Sequence, residues 1–350
     1  MNAGRPAGTR LRWWWVGGAA LVLVASVIAG VMIGAVGLSP SSIVGSVLDK
    51  VPGFEVDTGL SVRDEAILWQ IRMPRVILAV IVGSMLSTAG TAYQGVFRNP
   101  LADPYLLGAG AGAGLGATVA IAYGPTTNGW LVDPLPLAAF VGALAGVALA
   151  YLLGYTVRSG RTSVTLILAG VAVAAFLTAI QTFIQQRESE TLREVYGWIL
   201  GSLNTAGWDE VRLVVPYVAV SVAVILGSRR LLDVLAVGDT EAGTLGVRPG
   251  RIRLIIVVFA TLGTAAVVAV SGLIGFVGII VPHTVRLLTS ASYRVIVPLS
   301  ILRGGVFLVL ADIIARTAVA PAEIPIGVVT AIVGAPFFAF VLRTSKGVVS

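Results

Sequence analysis

Cysteine is absent from this 350-residue sequence, and histidine occurs once, as His283. The lack of cysteine excludes disulfides, thiolate metal sites and thiol redox chemistry. A single histidine excludes a histidine-based metal cluster within one chain. The phosphate-binding pattern G-x-x-x-x-G-K-[ST] is also missing, and the two lysines, Lys50 and Lys346, lie away from anything resembling it. The chain therefore cannot hydrolyse ATP by the P-loop route.

Charge is scarce as well. Charged residues make up 12% of the chain, whereas soluble domains carry about 25%. Hydrophobic residues make up 57%, and the mean hydropathy is +0.94. A folded globule of this composition would expose large apolar areas to water, so lipid is the indicated solvent. One span needs roughly 20 apolar residues, and the 42 glycines favour close helix packing in lipid.

Apolar runs predict an all-α, polytopic membrane protein of one domain, residues 1–350, with about ten transmembrane helices. The spans are predicted at 14–38, 67–97, 105–123, 135–155, 164–184, 211–227, 253–270, 273–290, 296–314 and 327–342. The first exceeds the roughly 7–15-residue apolar core of a cleaved signal peptide, so we expect it to be retained. The eighth is glycine-rich and contains Pro282, so we expect a broken or partly re-entrant helix whose boundaries within 271–290 stay open.

The basic residues predict the orientation. With both termini in the cytoplasm, the inner segments hold fifteen basic and four acidic residues, and the outer segments hold eight basic and twelve acidic residues. This distribution follows the positive-inside rule. We therefore attribute the net charge of +7 to the topology of the chain in the membrane. Nucleic-acid binding, the other interpretation of a basic chain, needs a contiguous solvated basic face that the sequence does not offer.

Two segments between spans are long, 39–66 outside the membrane and 228–252 inside. In the inner segment, three leucines share one helical face: Leu231, Leu232 and Leu235. Asp239 is then expected to cap a second short helix that Gly246 ends. The segment predicts a compact protrusion of two short helices, with an ordinary ordered loop as the alternative.

The sequence RNPLADPYLLGAGAGAGLGA, residues 98–117, follows the second span. Its Asn99-Pro100 and Asp103-Pro104 pairs are turn signals, so we expect a tight reversal of the chain. The alternating glycines that follow predict a close-packing helix face. The polar residues of the turn would lie at a pore mouth if the second span lines a pathway.

Three arginines stand on the side of the membrane where bases are rare: Arg72, Arg75 and Arg316. Snorkelling to lipid headgroups is one interpretation of the first two. An i,i+4 ion pair with Asp312 is one interpretation of the third. The alternative is an acidic partner outside the membrane.

Two further residues have open roles. His283 follows a proline and is interpreted as a hydrogen-bonded residue at a helix start in preference to a ligand. Arg303 is the only strongly basic residue predicted well inside a span, where such residues are usually functional or paired.

Several motifs in order across residues 65–342 resemble the FecCD-type permeases, the type II class of ABC importer for cobalamin, haem and ferric siderophores. They are IRMPR (71–75), AGTAYQGVFRNPLADPYLLGAGAGAG (89–114), LILAGVAVAAFLTA (166–179), WILGSL (198–203), LDVLAVGDTEAGTLGV (232–247), SGLIGFVGIIVPHTVRLL (271–288), LADIIAR (310–316) and EIPIGVVTAIVGAPFF (323–338). The resemblance implies the type II importer permease fold, with two permease subunits around a pathway, either a homodimer or a paralogous heterodimer. It also implies two cytoplasmic ABC ATPases, which bind the ATP and Mg, and an extracytoplasmic binding protein. The chain itself would have no cofactor, no metal site and no catalytic residue.

The resemblance also implies residue roles. The cytoplasmic gate would be formed by Asn99, Pro100 and Leu101 together with Thr162 and Ser163. Coupling to the ATPase would use Leu235, Gly238, Asp239, Glu241, Ala242, Leu245 and Gly246. Docking of the binding protein would use Arg72, Arg75 and Arg316. The expected location is the plasma or inner membrane of a bacterium.

The expected function is translocation of a metal chelate into the cytoplasm by alternating access, driven by hydrolysis in another chain. Ferric siderophore is the first choice of substrate, with haem second and cobalamin third. A proton-coupled secondary transporter is the alternative. It is disfavoured because such carriers need acids near mid-membrane, and only Asp312 is a candidate.

Overall fold

The computed structural model describes residues 10–34, 39–50, 53, 59–125, 133–156 and 163–344. In this part of the chain every regular element is a helix. The α-helices are α1 (Trp13–Met32), α2 (Pro40–Asp49), α3 (Val62–Ala66), α4 (Met73–Phe97), α5 (Ala109–Tyr123), α6 (Pro134–Thr156), α7 (Ser163–Arg187), α8 (Leu192–Ile199), α9 (Trp208–Gly227), α10 (Arg229–Val237), α11 (Asp239–Thr244), α12 (Pro249–Ser271), α13 (Val277–Leu288), α14 (Tyr293–Thr317) and α15 (Ile326–Thr344). A π-helical segment, Ile67–Arg72, joins α3 to α4, and 3-10 turns lie at Pro104–Leu107 and Ser189–Thr191.

Each predicted span has a helix in the structure. Seven of the described helices are long and apolar enough to cross a membrane alone, and α5, α13 and α15 are shorter apolar helices. The expectation for the eighth span is confirmed, since α13 has only 12 residues, or about 18 Å at 1.5 Å per residue. The non-helical stretch 272–276 before it lies inside the protein, where Tyr105 Oη contacts both the N–H and the carbonyl of Ile274 at 3.3 Å. Irregular backbone at membrane depth requires such protein partners.

The second span is the axis of the subunit. Together with α3 and the π-helical segment, α4 forms a 36-residue helix whose most apolar stretch is 83% buried. Gly83 packs against the backbone of Gly304, and Gly90 packs against Gly278. At the same crossing with α14, the Ser87 hydroxyl donates to the Ser300 carbonyl at 2.6 Å. Small residues and the Ser87 hydrogen bond let these helices approach closely, although the Ser300 hydroxyl is buried without a hydrogen-bond partner in the described part of the chain.

The alternating glycines after the second span form a packing face, as predicted. A Cβ atom added to Gly112 would overlap the carbonyl of Gly142, and one added to Gly116 would overlap that of Ala138. Because these positions have no side chain, α5 and α6 lie backbone to backbone along their length.

Two separate helices outside the spans were not predicted, and α3 extends the second span beyond its predicted start at residue 67. Ser39 caps α2, accepting from Ser42 N at 3.1 Å, and Trp69 Nε1 donates to Ser46 Oγ at 2.8 Å. The second unpredicted helix is α8, in the connection between α7 and α9. Both are only two to three turns long, too short for a convincing periodic pattern.

Candidate functional site

The outer arginine cluster comprises Arg72, Arg75, Asp312, Arg316 and Glu323. Arg75 lies at its centre. Its Nε donates to Asp312 Oδ1 at 3.0 Å, and its Nη1 and Nη2 donate to the two oxygens of Glu323 at 2.9 Å each. Asp312 is 1% exposed and also lies 3.0 Å from Arg316 Nε, the predicted i,i+4 pair. One buried carboxylate therefore serves two guanidinium groups.

The remaining donors of this cluster cap the end of α1. Arg72 Nη1 donates to the carbonyls of Val31 and Met32 at 2.9 and 3.2 Å. Arg316 donates to the carbonyls of Gly30 and Ile33 at 3.0 and 3.1 Å. A helix leaves its last four carbonyls without intrahelical partners, and cations favour that end of its dipole. No basic residue occurs in the last turn of α1 itself, so these two arginines supply the donors.

These contacts correct one expectation. The three arginines cluster at one end of the spans, and Arg72 and Arg75 do not snorkel to lipid headgroups, which was one interpretation of their positions in the sequence. Arg72 is 5% exposed and Arg75 is 8% exposed, because a buried carboxylate and the carbonyls of α1 take their donors. An open crevice of about 360 Å³ remains between Arg72, Arg75, Arg316 and Glu323. Docking at this crevice stays a prediction.

The turn 98–104 is organised by side-chain acceptors. Arg98 takes the left-handed conformation, with φ 52°, at the end of α4. Asn99 Oδ1 then accepts from Leu101 N at 2.9 Å, and Asp103 Oδ1 accepts from Tyr105 N at 3.0 Å. Such Asx turns hold a sharp reversal without regular secondary structure. Within it, Pro100 is exposed, and Asn99 and Leu101 are half-buried.

Asp103 is the buried member of this turn. It is 6% exposed, and a Cβ atom on Gly278 of α13 would lie 2.7 Å from its Oδ2. Burial raises the pKa of Asp103 to about 6, although the hydrogen bond from Tyr105 N acts in the opposite direction. The turn is thereby held against the entry to α13. Thr162 lies outside the described residues, and Ser163 is the first residue of α7.

The inner segment contains two short helices, α10 and α11, as predicted. Leu232 and Leu235 are fully buried, whereas Leu245 is 67% exposed. The expected cap is wrong by one residue: Gly238 is the N-cap of α11, and Asp239 is the first helical residue. Gly238 has φ +154°, and the Glu241 carboxylate folds back into the space that a Cβ atom would occupy there. The turn therefore requires glycine.

Asp239 has a different role from capping. Its Oδ1 accepts from Arg98 Nη2 and from Arg253 Nη2, both at 3.0 Å. It therefore links α11 to the end of α4 and to the start of α12.

Asp233 of α10 makes a second link. It accepts from Tyr293 N at 2.6 Å and from Ser292 Oγ at 2.8 Å, at the N-terminus of α14. An acid at that end also favours the helix dipole. The α10–α11 pair is thus fastened to three long helices.

Sequence reasoning missed Asp233, Arg253 and Glu323 as members of these sites. Asp233 and Glu323 meet partners 59 and 248 residues away, and Arg253 meets Asp239 14 residues away. No i,i+3 or i,i+4 spacing within one helix could have identified these contacts. The interpretation of His283 is also wrong, because it lies in the middle of α13, edge-on to Phe337 with ring centroids 5.7 Å apart. In the described part of the chain, no three acidic or histidine side chains gather where they could hold a metal ion.

Comparison with known proteins gives concordant matches. The model of the FecCD transport family matches residues 21–344. The cobalamin import system permease protein BtuC of Halobacterium salinarum is 40% identical over 81% of this chain and 75% of its own length. The Fe(3+)-citrate import system permease protein YfmE of Bacillus subtilis is 35% identical over 93% of each chain. A solved structure described as an inward-facing conformation of a metal-chelate type ABC transporter superposes with a TM-score of 0.82, at 27% identity, over 95% of this chain and 100% of that one.

Proposed function

This chain belongs to the FecCD transport family and is a permease subunit of an ABC importer, and from this premise we propose its substrate class, its partners and the residues that serve them. It is a multi-pass protein of the cell membrane. The observation that carries these proposals is the match over residues 21–344 with relatives named for cobalamin and ferric citrate import.

The proposed substrate is an intact metal chelate, with a ferric siderophore or ferric citrate first and haem or cobalamin after it. The absence of a metal-ligating cluster among the described residues supports passage of the whole chelate, without transfer of the ion to the protein. The test is uptake by the assembled transporter in proteoliposomes, with radiolabelled ferric chelates and cobalamin offered in parallel. Accumulation of cobalamin alone would reverse the order of preference.

The proposed assembly has two permease subunits, two ABC ATPases that bind ATP and Mg, and an extracytoplasmic binding protein. Both permease termini lie in the cytoplasm, as the basic residues indicate. ATP and the loaded binding protein shift the population between inward- and outward-facing states, because each binds one state better. The chain itself carries no catalytic group in this proposal.

Coupling to the ATPase is assigned to α10 and α11. Support comes from the hydrogen bonds that join Asp233 and Asp239 to three long helices, α4, α12 and α14. A displacement of α10 and α11 by the ATPase would therefore be transmitted to all three helices. Gly238→Leu should lower ATPase association while the membrane fold is retained, and Glu241→Lys should act in the same direction. Gly250→Leu is a control, since it lies in the same inner region and has open space around its Cβ position. Unchanged pull-down after disruption of the whole segment would exclude this role.

The transmission of motion through Asp239 can be tested separately from binding of the ATPase. Asp239→Asn weakens the attraction to Arg98 and Arg253 but leaves the outer face of α11 intact. We expect normal ATPase association with reduced coupling of hydrolysis to transport. Full coupling in this variant would show that the ion pairs are structural only.

The cytoplasmic gate is assigned to Asn99, Pro100 and Leu101, with Thr162 and Ser163 as a second constriction. Because the chain has no cysteine, single cysteines can be introduced without background. Cysteine at Asn99 or Leu101 should crosslink two subunits when the gate is closed, and cysteine at Leu21, on the exposed face of α1, should not. Crosslinking at Leu21 alone would show that the two subunits meet at α1 and not at the turn 98–104.

Docking of the binding protein is assigned to the crevice between Arg72, Arg75 and Arg316. Replacing these arginines also removes contacts to α1 and Asp312, so a loss of association could reflect loss of fold. The cleaner test reverses acidic residues on the binding protein and keeps this chain intact. The reversed binding protein should associate more slowly with the permease than the unmodified one does. Association of the unmodified binding protein should also slow as the salt concentration rises, because charges at the rim of an interface act chiefly on the association rate. The double variant Arg72→Glu with Arg316→Glu should then recover part of the binding to the reversed partner, with its fold checked by thermal unfolding.

The secondary-transport alternative is weakened by the surroundings of Asp312. A proton carrier needs a carboxyl group that gains and loses its proton, whereas Asp312 lies between two guanidinium groups at 3.0 Å or less. Substrate movement by the purified chain alone in liposomes, driven by an imposed pH gradient, would restore that alternative.

A further inference from the structure

A groove of about 600 Å³ runs between α1, α13 and α14 and belongs to none of the sites above. Its walls are apolar apart from Thr284 and Arg303. Its wall on α1 begins at Trp14 and Trp15 and continues to Val22. The groove therefore starts at one end of the first span and extends inward along it.

Arg303 is the only charged residue of the groove. It is the eleventh residue of α14, about 15 Å from the start of that helix at 1.5 Å per residue. In the described part of the chain, no hydrogen bond or ion pair involves its guanidinium group, whereas Arg75, Arg253 and Arg316 each have a carboxylate partner. A half-buried, unpaired arginine inside a span is costly unless an anion or water reaches it.

The groove opens toward lipid. Side chains that line it are themselves exposed, with Val22 of α1 at 51% and Leu310 of α14 at 45%. Trp14 is 63% exposed and lies under the Arg12 guanidinium, 4.4 Å from the ring centroid. Tryptophan and arginine together are typical of the membrane interface. In the proposed orientation this end faces the cytoplasmic leaflet.

We propose that this groove binds one anionic phospholipid of the cytoplasmic leaflet, with the phosphate on Arg303 and an acyl chain along the apolar wall of α1. Long basic side chains reach along a helix toward the interface, which brings the guanidinium group to headgroup depth. A net negative headgroup is required because the groove contains no carboxylate to balance Arg303. If a second copy of the chain packed on this face about a two-fold axis, its Arg303 would approach the first Arg303 with no carboxylate in the groove to balance the two charges. The two guanidinium groups would repel each other, so a lipid is the better occupant.

The test measures phospholipid retained by the full-length purified chain, by native mass spectrometry, after exchange into micelles with phosphatidylglycerol or phosphatidylcholine. Arg303→Leu should reduce retained phosphatidylglycerol at least fivefold, and Arg303→Lys should preserve most of it. Arg212→Leu removes an exposed arginine of α9 outside the groove and should leave the retained phosphatidylglycerol at the wild-type level.

The acyl-chain part of the proposal has its own matched pair. Gly17 and Gly18 are neighbours on α1, and both have open space around a Cβ atom, but only Gly18 lines the groove. Gly18→Leu should expel the lipid without disturbing the fold, and Gly17→Leu should leave retention at the wild-type level. Both variants should unfold at the wild-type temperature.

Three results would overturn the proposal. Equal retention of phosphatidylglycerol in Arg303→Leu and the wild type would show that the guanidinium group does not hold the lipid. Equal retention of phosphatidylcholine and phosphatidylglycerol by the wild type would remove the charge requirement. Loss of the dimer in Gly18→Leu with unchanged lipid content would identify the groove as a subunit contact.

Discussion

Replacing Asp103 by asparagine is predicted to stabilise the folded protein at neutral pH. Asp103 is 6% exposed, and among the described residues no arginine or lysine forms an ion pair with it. Burial raises its pKa from 3.8 to about 6, so ionisation at neutral pH is unfavourable in the folded state. Asparagine cannot ionise, and its Oδ1 can still accept the hydrogen bond from Tyr105 N.

The size of the effect follows from the shift in pKa. A shift of about two units corresponds to roughly 3 kcal/mol, at about 1.4 kcal/mol per unit. Because the pKa of Asp103 is higher in the folded state, folded protein binds more protons than unfolded protein between pH 4 and 6. Wild-type stability therefore falls as the pH rises through that window and is constant above it with respect to this group. The advantage of the variant is largest above pH 6 and vanishes near pH 4.

The assay is thermal unfolding in detergent, followed by tryptophan fluorescence at pH 4.5, 5.5, 6.5 and 8. At pH 8 the unfolding midpoint of the variant should be on the order of 5 °C higher than that of the wild type. A change of about 1 kcal/mol shifts the midpoint by roughly 2–4 °C in a chain of 150–250 residues and by less in a longer chain such as this one. Asp209→Asn, whose parent side chain is 92% exposed, controls for loss of charge. A variant that is less stable at pH 8, or that differs equally at every pH, would refute the reasoning.

Two further substitutions, with a third as a control, test the buried ion pairs and the helix packing. Asp312→Asn leaves two buried guanidinium groups without their shared carboxylate, so the chain should lose about 3–5 kcal/mol of stability, measured as a lower unfolding midpoint and a lower yield of folded protein. Gly112→Ala places a Cβ atom against the Gly142 carbonyl and should cost at least about 1–3 kcal/mol. Gly227→Ala, at a helical glycine with open space around it, should instead be neutral or stabilising by up to about 1 kcal/mol, and equal midpoints for the two alanine variants would contradict the assigned contact.

The spans, the glycine face and the α10–α11 pair could be predicted because each depends on local pattern. An apolar run partitions into lipid residue by residue, and its ends are marked by turn formers and charges. The short helix α13 was also predictable, since Gly and Pro interrupt its run. The helices α2 and α8 were missed because two to three turns carry too little periodicity. The N-cap of α11 was misplaced by one residue because aspartate is a common N-cap residue, whereas here Gly238 caps the helix and Asp239 is its first residue.

The chemistry of the outer arginines could not be predicted from local pattern. The sequence indicated lipid headgroups or an acidic partner for Arg72 and Arg75, and only the i,i+4 pair of Arg316 with Asp312 could be identified from spacing. Their side chains instead satisfy the end of α1 and a buried carboxylate. The same holds for Asp103, which was interpreted as a turn former and is also a buried acid against α13.

The sequence alone determined the apolar spans, the uneven distribution of basic residues between the segments that join them, and the family motifs. Partition into lipid depends on composition that adds up over short windows of chain. Which charges are paired was decided only by the tertiary structure. Arg75 meets Asp312 and Glu323 across 237 and 248 residues, and Arg303 meets no charged side chain in the described part of the chain. A window of 20 residues contains neither fact, since a charge finds its partner through the packing of helices that are distant in sequence.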